Sequence, residues 1–182
     1  KHLLGGIEYA IGDNKNLNYK KATSKEAPDA VRFSKKNLSL GEFFEPTEMT
    51  ILPNLDVLIG QRRGEIMYYS NTTKEVKQVA FIDVYHKTSV PGVNAEEGVM
   101  GLQCDPNFAE NNWVYVFYSP KGDEWVNRLS RFTFKDGVFD LNSEVKILDV
   151  ETQREICCHT GGSIAFGGDG LLYLSTGDNT TP

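Results

Sequence analysis

Three stretches of the chain can be laid over one another: "TEMTILPNLDVLIGQ" (47–61), "GLQCDPNFAENNWVYVFY" (101–118) and "GSIAFGGDGLLYLSTG" (162–177). Each is a short apolar segment, then a turn of Pro or Gly with Asp or Asn, then a strongly apolar segment rich in β-branched and aromatic residues. The interval is about 55 residues, too long for a hairpin array and close to the period of a repeated four-stranded unit. Between the starts the period-two pattern continues. Strand-like segments are expected at 47–52, 56–61, 65–70 and 76–83, with turns at Pro53-Asn54, Arg63-Gly64 and Asn71-Thr72. A second set is expected in "VMGLQCDP", "WVYVFYSP", "RLSRFTFKDG" and "EVKILDVE", and a third begins with a hairpin turning at Gly167–Gly170.

Four antiparallel strands repeated at a fixed interval predict an all-β chain forming part of a β-propeller, about two and a half blades. A β-sandwich also contains many short strands, but the repeated turn-plus-strand register favours blades. Because a ring closes only from four blades upward, this reading leaves one flank of the last blade exposed. That flank is expected to meet the remaining blades of a longer chain, or to form a strand-swapped or edge-paired oligomer. Residues 1–12, "KHLLGGIEYAIG", have helical apolar spacing and a terminating Gly12, and residues 13–30 have linker composition. The expected organisation is therefore a short helical tail of a preceding domain with its linker over 1–30, and the β unit over 31–182.

The net charge of −6 and the scattered Lys20-Lys21, Lys35-Lys36 and Arg62-Arg63 doublets argue against nucleic acid as a partner. No apolar run has the length of a membrane span, and the first residues carry no signal-peptide pattern. With no initiator Met, the chain reads as a piece of something larger.

Three cysteines, Cys104, Cys157 and Cys158, are too few for a disulfide framework, and adjacent cysteines do not suit one tetrahedral metal. They read either as buried small residues with a spare thiol, or as a bridge from Cys104 to Cys157 or Cys158 in an oxidising compartment. His2 and His86 read as solvated, and no two histidines have metal-ligand spacing, so no metal site is expected. His159 sits between a cysteine pair and Gly161-Gly162. It reads as a corner residue of a sheet or as a base, since imidazole is the side chain poised for proton transfer near neutral pH. Asp178 reads as a turn cap or as that histidine's partner, and Glu96-Glu97 as two exposed loop carboxylates.

Three motifs together resemble the soluble pyrroloquinoline-quinone-dependent glucose/sorbosone dehydrogenase family. They are "LPNLDVLIGQRRGEI", "EEGVMGLQCDPNFAENNWVYVFYS" and "HTGGSIAFGGDGLLYLSTGD", in the family's order over roughly residues 43–178. The resemblance implies a six-bladed propeller that oxidises a sugar hydroxyl with the quinone and calcium, in the periplasm or outside the cell. It implies His159 as general base and Asp178 as the residue that orients and charges it. It also implies Glu96 and Arg62 at the cofactor or substrate, with Gly161 and Gly162 letting the backbone approach a flat cofactor. The residues that hold the quinone and calcium are implied to lie in later blades, so this fragment alone would turn nothing over. Where the family has an acidic residue before the histidine this chain has Cys158, and Cys104 replaces another family position. Placed at the heads of equivalent inner strands, these two imply a cross-blade disulfide. "HLLGGIEYAIG" is similar to the end of trehalose-utilisation-type domains. Propellers also serve as binding modules, so a non-catalytic propeller presenting loops to a carbohydrate or protein is the alternative.

Overall fold

The structure, a computed structural model, describes residues 37–39, 41–88, 91–93, 95–122, 124–156 and 158–178. The expected helical tail and linker over 1–30 lie outside these residues. Strands β1 (Pro46–Ile51), β2 (Val57–Gln61), β3 (Glu65–Tyr69) and β4 (Val76–Phe81) form a four-stranded antiparallel sheet in chain order. A second such sheet contains β5 (Val99–Cys104), β6 (Trp113–Tyr118), β7 (Val126–Lys135) and β8 (Val138–Glu151). The hairpin β9 (Ile164–Phe166) and β10 (Leu172–Leu174) begins a third. A single turn, α1 (Phe108–Asn111), fills the β5–β6 connection and buries Phe108. These are two blades and the start of another, at the positions the repeat predicts.

The second blade explains its own composition. Along β6, Val114, Val116 and Tyr118 join a core shared with the first blade's Leu58 and Ile66. Phe117, one residue out of phase, joins Met100, Leu129 and Ile164 on the side of the third blade. Alternate side chains of a strand point to opposite faces, and here both faces are covered, so "WVYVFY" is apolar throughout. In the first blade, Val57, Ile59 and Tyr69 form a separate cluster covered by Phe43.

β8 is longer than the eight residues expected, because it starts directly after the Asp136-Gly137 turn. Both turn residues have positive φ (52° and 76°), the type I′ geometry that matches strand twist. The polar "DLNS" within β8 hides the strand from a periodicity reading. It contains a register shift, with the Ser143 hydroxyl accepting the Thr133 N–H at 2.8 Å.

The Asp of each repeat has one recurring structural use. Asp105 accepts the Tyr115 hydroxyl at 2.9 Å and the Asn107 N–H at 2.8 Å. Asp169 accepts the Tyr173 hydroxyl at 2.7 Å and the Leu171 N–H at 3.0 Å. Asp56 accepts the Tyr68 hydroxyl and, at 2.7 Å, the Asn71 N–H. Each carboxylate thus latches the rim of its blade. Burial alone would raise the pKa of Asp56 and Asp105, but the hydrogen bonds outweigh it and both lie below the usual carboxylate range. Burial, and then the bond to Asp105, push Tyr115 up to about 12.

A depressed carboxylate stabilises the fold above its unfolded pKa and loses that contribution as pH falls through the folded value. The urea midpoint should therefore decline as pH drops from about 5 to about 3. Asp105→Asn should lower the midpoint at neutral pH and make the acid decline shallower, as equilibrium unfolding at several pH values would register.

Candidate functional site

The rim opposite the Asp–Tyr latches gathers the start of β5, the β2–β3 turn, the loop before β9 and the segment after β10. Their registers are tied by backbone bonds: Val99 N–H to Arg62 O at 3.0 Å, Ser119 N–H to Gly98 O at 2.9 Å and Gly177 N–H to Thr160 O at 2.8 Å. The segments lie too close for side chains. A Cβ on Gly177 would sit 1.5 Å from the His159 carbonyl oxygen, and one on Gly98 would sit 1.8 Å from Arg62 O. Gly161 (φ 66°) faces the Thr176–Gly177 backbone, and Gly162 (φ 130°) faces Met100 and Phe117. The space in front of both glycines on that side is filled by protein. Their visible use is to bring the histidine loop against β5 and the end of the β9–β10 hairpin.

That approach delivers the histidine. Cys158 and His159 both have positive φ (99° and 64°), a conformation L residues seldom adopt in succession. Held in this way, His159 donates its backbone N–H to Glu96 Oε2 at 2.8 Å. Its ring Nδ1 lies 2.9 Å from Asp178 Oδ1. An ionised Asp178 can only accept, so it fixes the proton on Nδ1 and leaves Nε2 as the basic nitrogen. The His159 and Asp178 side chains are 61% and 73% exposed, so Nε2 is open to an incoming molecule. Nearby, Ser163 Oγ donates to Glu48 Oε2 at 3.1 Å, which places one more carboxylate along the inner strands.

Three sequence-derived expectations change. Glu97 is buried, at 2% exposure, and its Oε2 has no hydrogen-bond partner. Its electrostatic neighbours are Tyr85 and Arg154, whose Nε is equally unpartnered. His86 is half-buried, its Nδ1 3.2 Å from Val84 O. Most clearly, the Cys104–Cys158 bridge does not form: Cys104 is a free thiol and Cys158 is disulfide-bonded. The physical reason is strand direction. Gly101 in the middle of β5 packs on Gly162, just before β9. Cys104 therefore lies towards the latch rim, where it meets Thr50, and Cys158 lies on the opposite side of that contact. Cys157 lies outside the described residues.

The Arg62 guanidinium binds carbonyl oxygens of His86, Ala95 and Glu97 and the carboxylate of Glu45. Arg154, which nothing in the sequence singled out, binds the carbonyls of Pro120 and Gly122 and lies over the Tyr85 ring. A cleft of about 470 Å³ lined by Asp56, Tyr68, Lys77 and Asp136 belongs to the latch rim and includes none of these site residues.

Four-stranded antiparallel sheets repeated in chain order define part of a β-propeller, with the His159–Asp178 pair at its inner-strand rim. Residues 43–182 match the family model described as glucose/sorbosone dehydrogenase, and the chain belongs to that family. It is similar to a structure from Thermus thermophilus assigned as an oxidoreductase (glucose dehydrogenase), with 29% identity and a TM-score of 0.64. That match covers 76% of this chain and 38% of the other. The PQQ-bound aldose sugar dehydrogenase of Streptomyces coelicolor matches at 22% identity and a TM-score of 0.64, over 80% of this chain and 41% of that one. Human Hedgehog-interacting protein is 29% identical over 117 residues, 57% of this chain and 16% of that protein. The chain thus spans well under half the length of these relatives.

Gly177→Ala should force the His159 carbonyl away and separate the ring from Asp178. The expected cost is about 1–3 kcal/mol, read by thermal unfolding, with the ring-to-carboxylate separation read by crystallography.

Proposed function

We propose that this chain is the first part of a six-bladed, quinone-dependent sugar dehydrogenase and that His159 is its general base. The observation that carries this reading is the 2.9 Å contact between His159 Nδ1 and Asp178 with Nε2 left open. Converting a sugar C1 hydroxyl to a lactone removes the hydroxyl proton as hydride leaves the carbon. His159 Nε2 takes the proton, and the Asp178 carboxylate stabilises the imidazolium that forms. Glu96, anchored on the His159 N–H, fixes the backbone from which the ring projects. The quinone, when bound, supplies the hydride acceptor.

The residues here fit the acid–base half of such a site and do not fit the cofactor's own cradle. Pyrroloquinoline quinone is a tricarboxylate, yet the side chains grouped around His159 include the carboxylates Glu96 and Asp178, with Glu48 beside Ser163. The donors of Arg62, Arg63 and Arg154 are directed to backbone carbonyls and to the Glu45 carboxylate. Among the described residues no group of three His, Cys, Asp or Glu side chains is arranged to hold a metal. The cations and calcium ligands are therefore proposed to come from the remaining blades. Those blades would also cover Leu171 and Tyr173 at β10, now 61% and 44% exposed. No described helix is long and apolar enough to cross a membrane. The Cys158 disulfide supports a periplasmic or secreted location, since such bonds persist in oxidising compartments.

A second reading, a binding propeller without redox chemistry, is supported by the likeness to Hedgehog-interacting protein, named for an interaction. The two separate on the full-length protein titrated with pyrroloquinoline quinone and calcium and assayed for sugar-dependent dye reduction. The dehydrogenase reading expects saturable cofactor binding and a loss of about 10²–10⁴-fold in kcat for His159→Ala. Absence of cofactor binding at tens of micromolar would leave the binding module.

A further inference from the structure

We infer that Arg62 is a positioning residue: it clamps the backbone on both sides of Glu96, and through Glu96 it holds His159 in its working geometry. This rests on the proposed role of His159 as base. Glu96 lies near the end of the long connection from β4 to β5. Arg62 Nη1 donates to Ala95 O at 2.7 Å and, at 3.3 Å, to Glu97 O, the two residues flanking Glu96. It also reaches His86 O at 2.9 Å, near the entry to the same connection. Nη2 donates to both Glu45 oxygens, at 3.1 and 2.9 Å. The backbone of Arg62 is fixed as well, its N–H bonding Glu45 O and its carbonyl receiving the Val99 N–H, each at 3.0 Å. The side chain is 13% exposed, and its bonds to the loop carbonyls are the part-buried ones, more sheltered from water than those to Glu45.

Nη1 alone holds the entry of the loop at His86 and its exit at Ala95 and Glu97, and the planar fork is what lets Nη2 engage Glu45 at the same time. An ammonium has the charge and lacks the fork. Arg62→Lys therefore separates a clamp from a cation that attracts an anionic cofactor, the role implied by the family resemblance. Restraining Glu96 restrains the His159 N–H, and the imidazole that follows from it sets the approach to substrate. Small displacements of a reacting group are enough to slow catalysis strongly.

The test uses the full-length protein with Arg62→Lys, Glu96→Ala and the double variant. Amide hydrogen exchange at His159 is the direct readout, because that N–H is bonded to Glu96. The Gly177 amide, bonded to Thr160 O, is the internal control. The expected result for Arg62→Lys is exchange at His159 faster by about tenfold or more, with Gly177 unchanged. In turnover, kcat should fall by about 10–100-fold with KM and cofactor affinity near those of the parent. Adding Arg62→Lys to Glu96→Ala should change neither readout further, since both act through one bond.

Unchanged His159 exchange, weakened cofactor binding with normal kcat, or additive effects in the double variant would each overturn the clamp. If the protein shows no dehydrogenase activity, the reading of His159 as a base fails while exchange still decides on the clamp. Should Arg62→Lys not fold, Glu45→Ala removes the brace, together with the 2.8 Å pair from Arg63 Nε, and leaves Arg62 its bonds to the loop carbonyls. It is expected to raise His159 exchange a few-fold, and no change there would equally overturn the proposal.

Discussion

The geometry of the site depends on backbone meeting backbone without an intervening methyl group. Gly177 lies under the His159 carbonyl, Gly101 under the Gly162 carbonyl and Gly98 under the Arg62 carbonyl. Gly98 brings the second blade against the first, Gly101 seats the third blade's first strand on the second, and Gly177 closes the segment after β10 onto the histidine loop. Two consecutive residues in left-handed backbone conformation, Cys158 and His159, then turn the imidazole towards Asp178. Such conformations persist where the surroundings over-determine them. Here the Glu96 carboxylate on one side and the Gly177 backbone on the other provide that surrounding.

The blades were legible in the sequence because a period of two and a repeated turn are local signals. β1 to β4 fall within a residue or two of the expected segments, and the hairpin at 167–170 turns where its glycines sit. β8 was only half legible. Its first residues, "VFDLNS", lie on an outer strand where exposed positions carry polar residues, so no hydrophobic alternation marks them. The His159–Asp178 contact could be expected from the motif, since a hairpin naturally brings its two flanks together.

What the sequence hid was contact between loops. Glu97 looked like its neighbour Glu96, yet one is buried and the other exposed, because Gly98 draws that stretch against Arg62 O. Arg154 had no motif around it and still ties the approach to the third blade onto the β6–β7 connection through the carbonyls of Pro120 and Gly122. The expected Cys104–Cys158 bridge failed on direction. Spacing along the chain says that two residues belong to successive inner strands, but not that they lie at opposite ends of them.

The two rims are held together by different kinds of bond. On the latch rim each Asp finds its Tyr within its own repeat: Asp56 with Tyr68, Asp105 with Tyr115 and Asp169 with Tyr173. On the other rim the His159–Asp178 pair lies within the third repeat, and the bonds that position it cross from one repeat to another, as Glu96 does to His159 and Ser163 does to Glu48. A duplicated or transplanted blade would bring its own latch with it, while its two faces would still need neighbouring blades to cover them. It would not bring the contacts that position the site, which belong to the junctions and must be acquired anew by neighbours that have changed together. Architecture in such a ring is therefore inherited one unit at a time, whereas chemistry is inherited only in pairs.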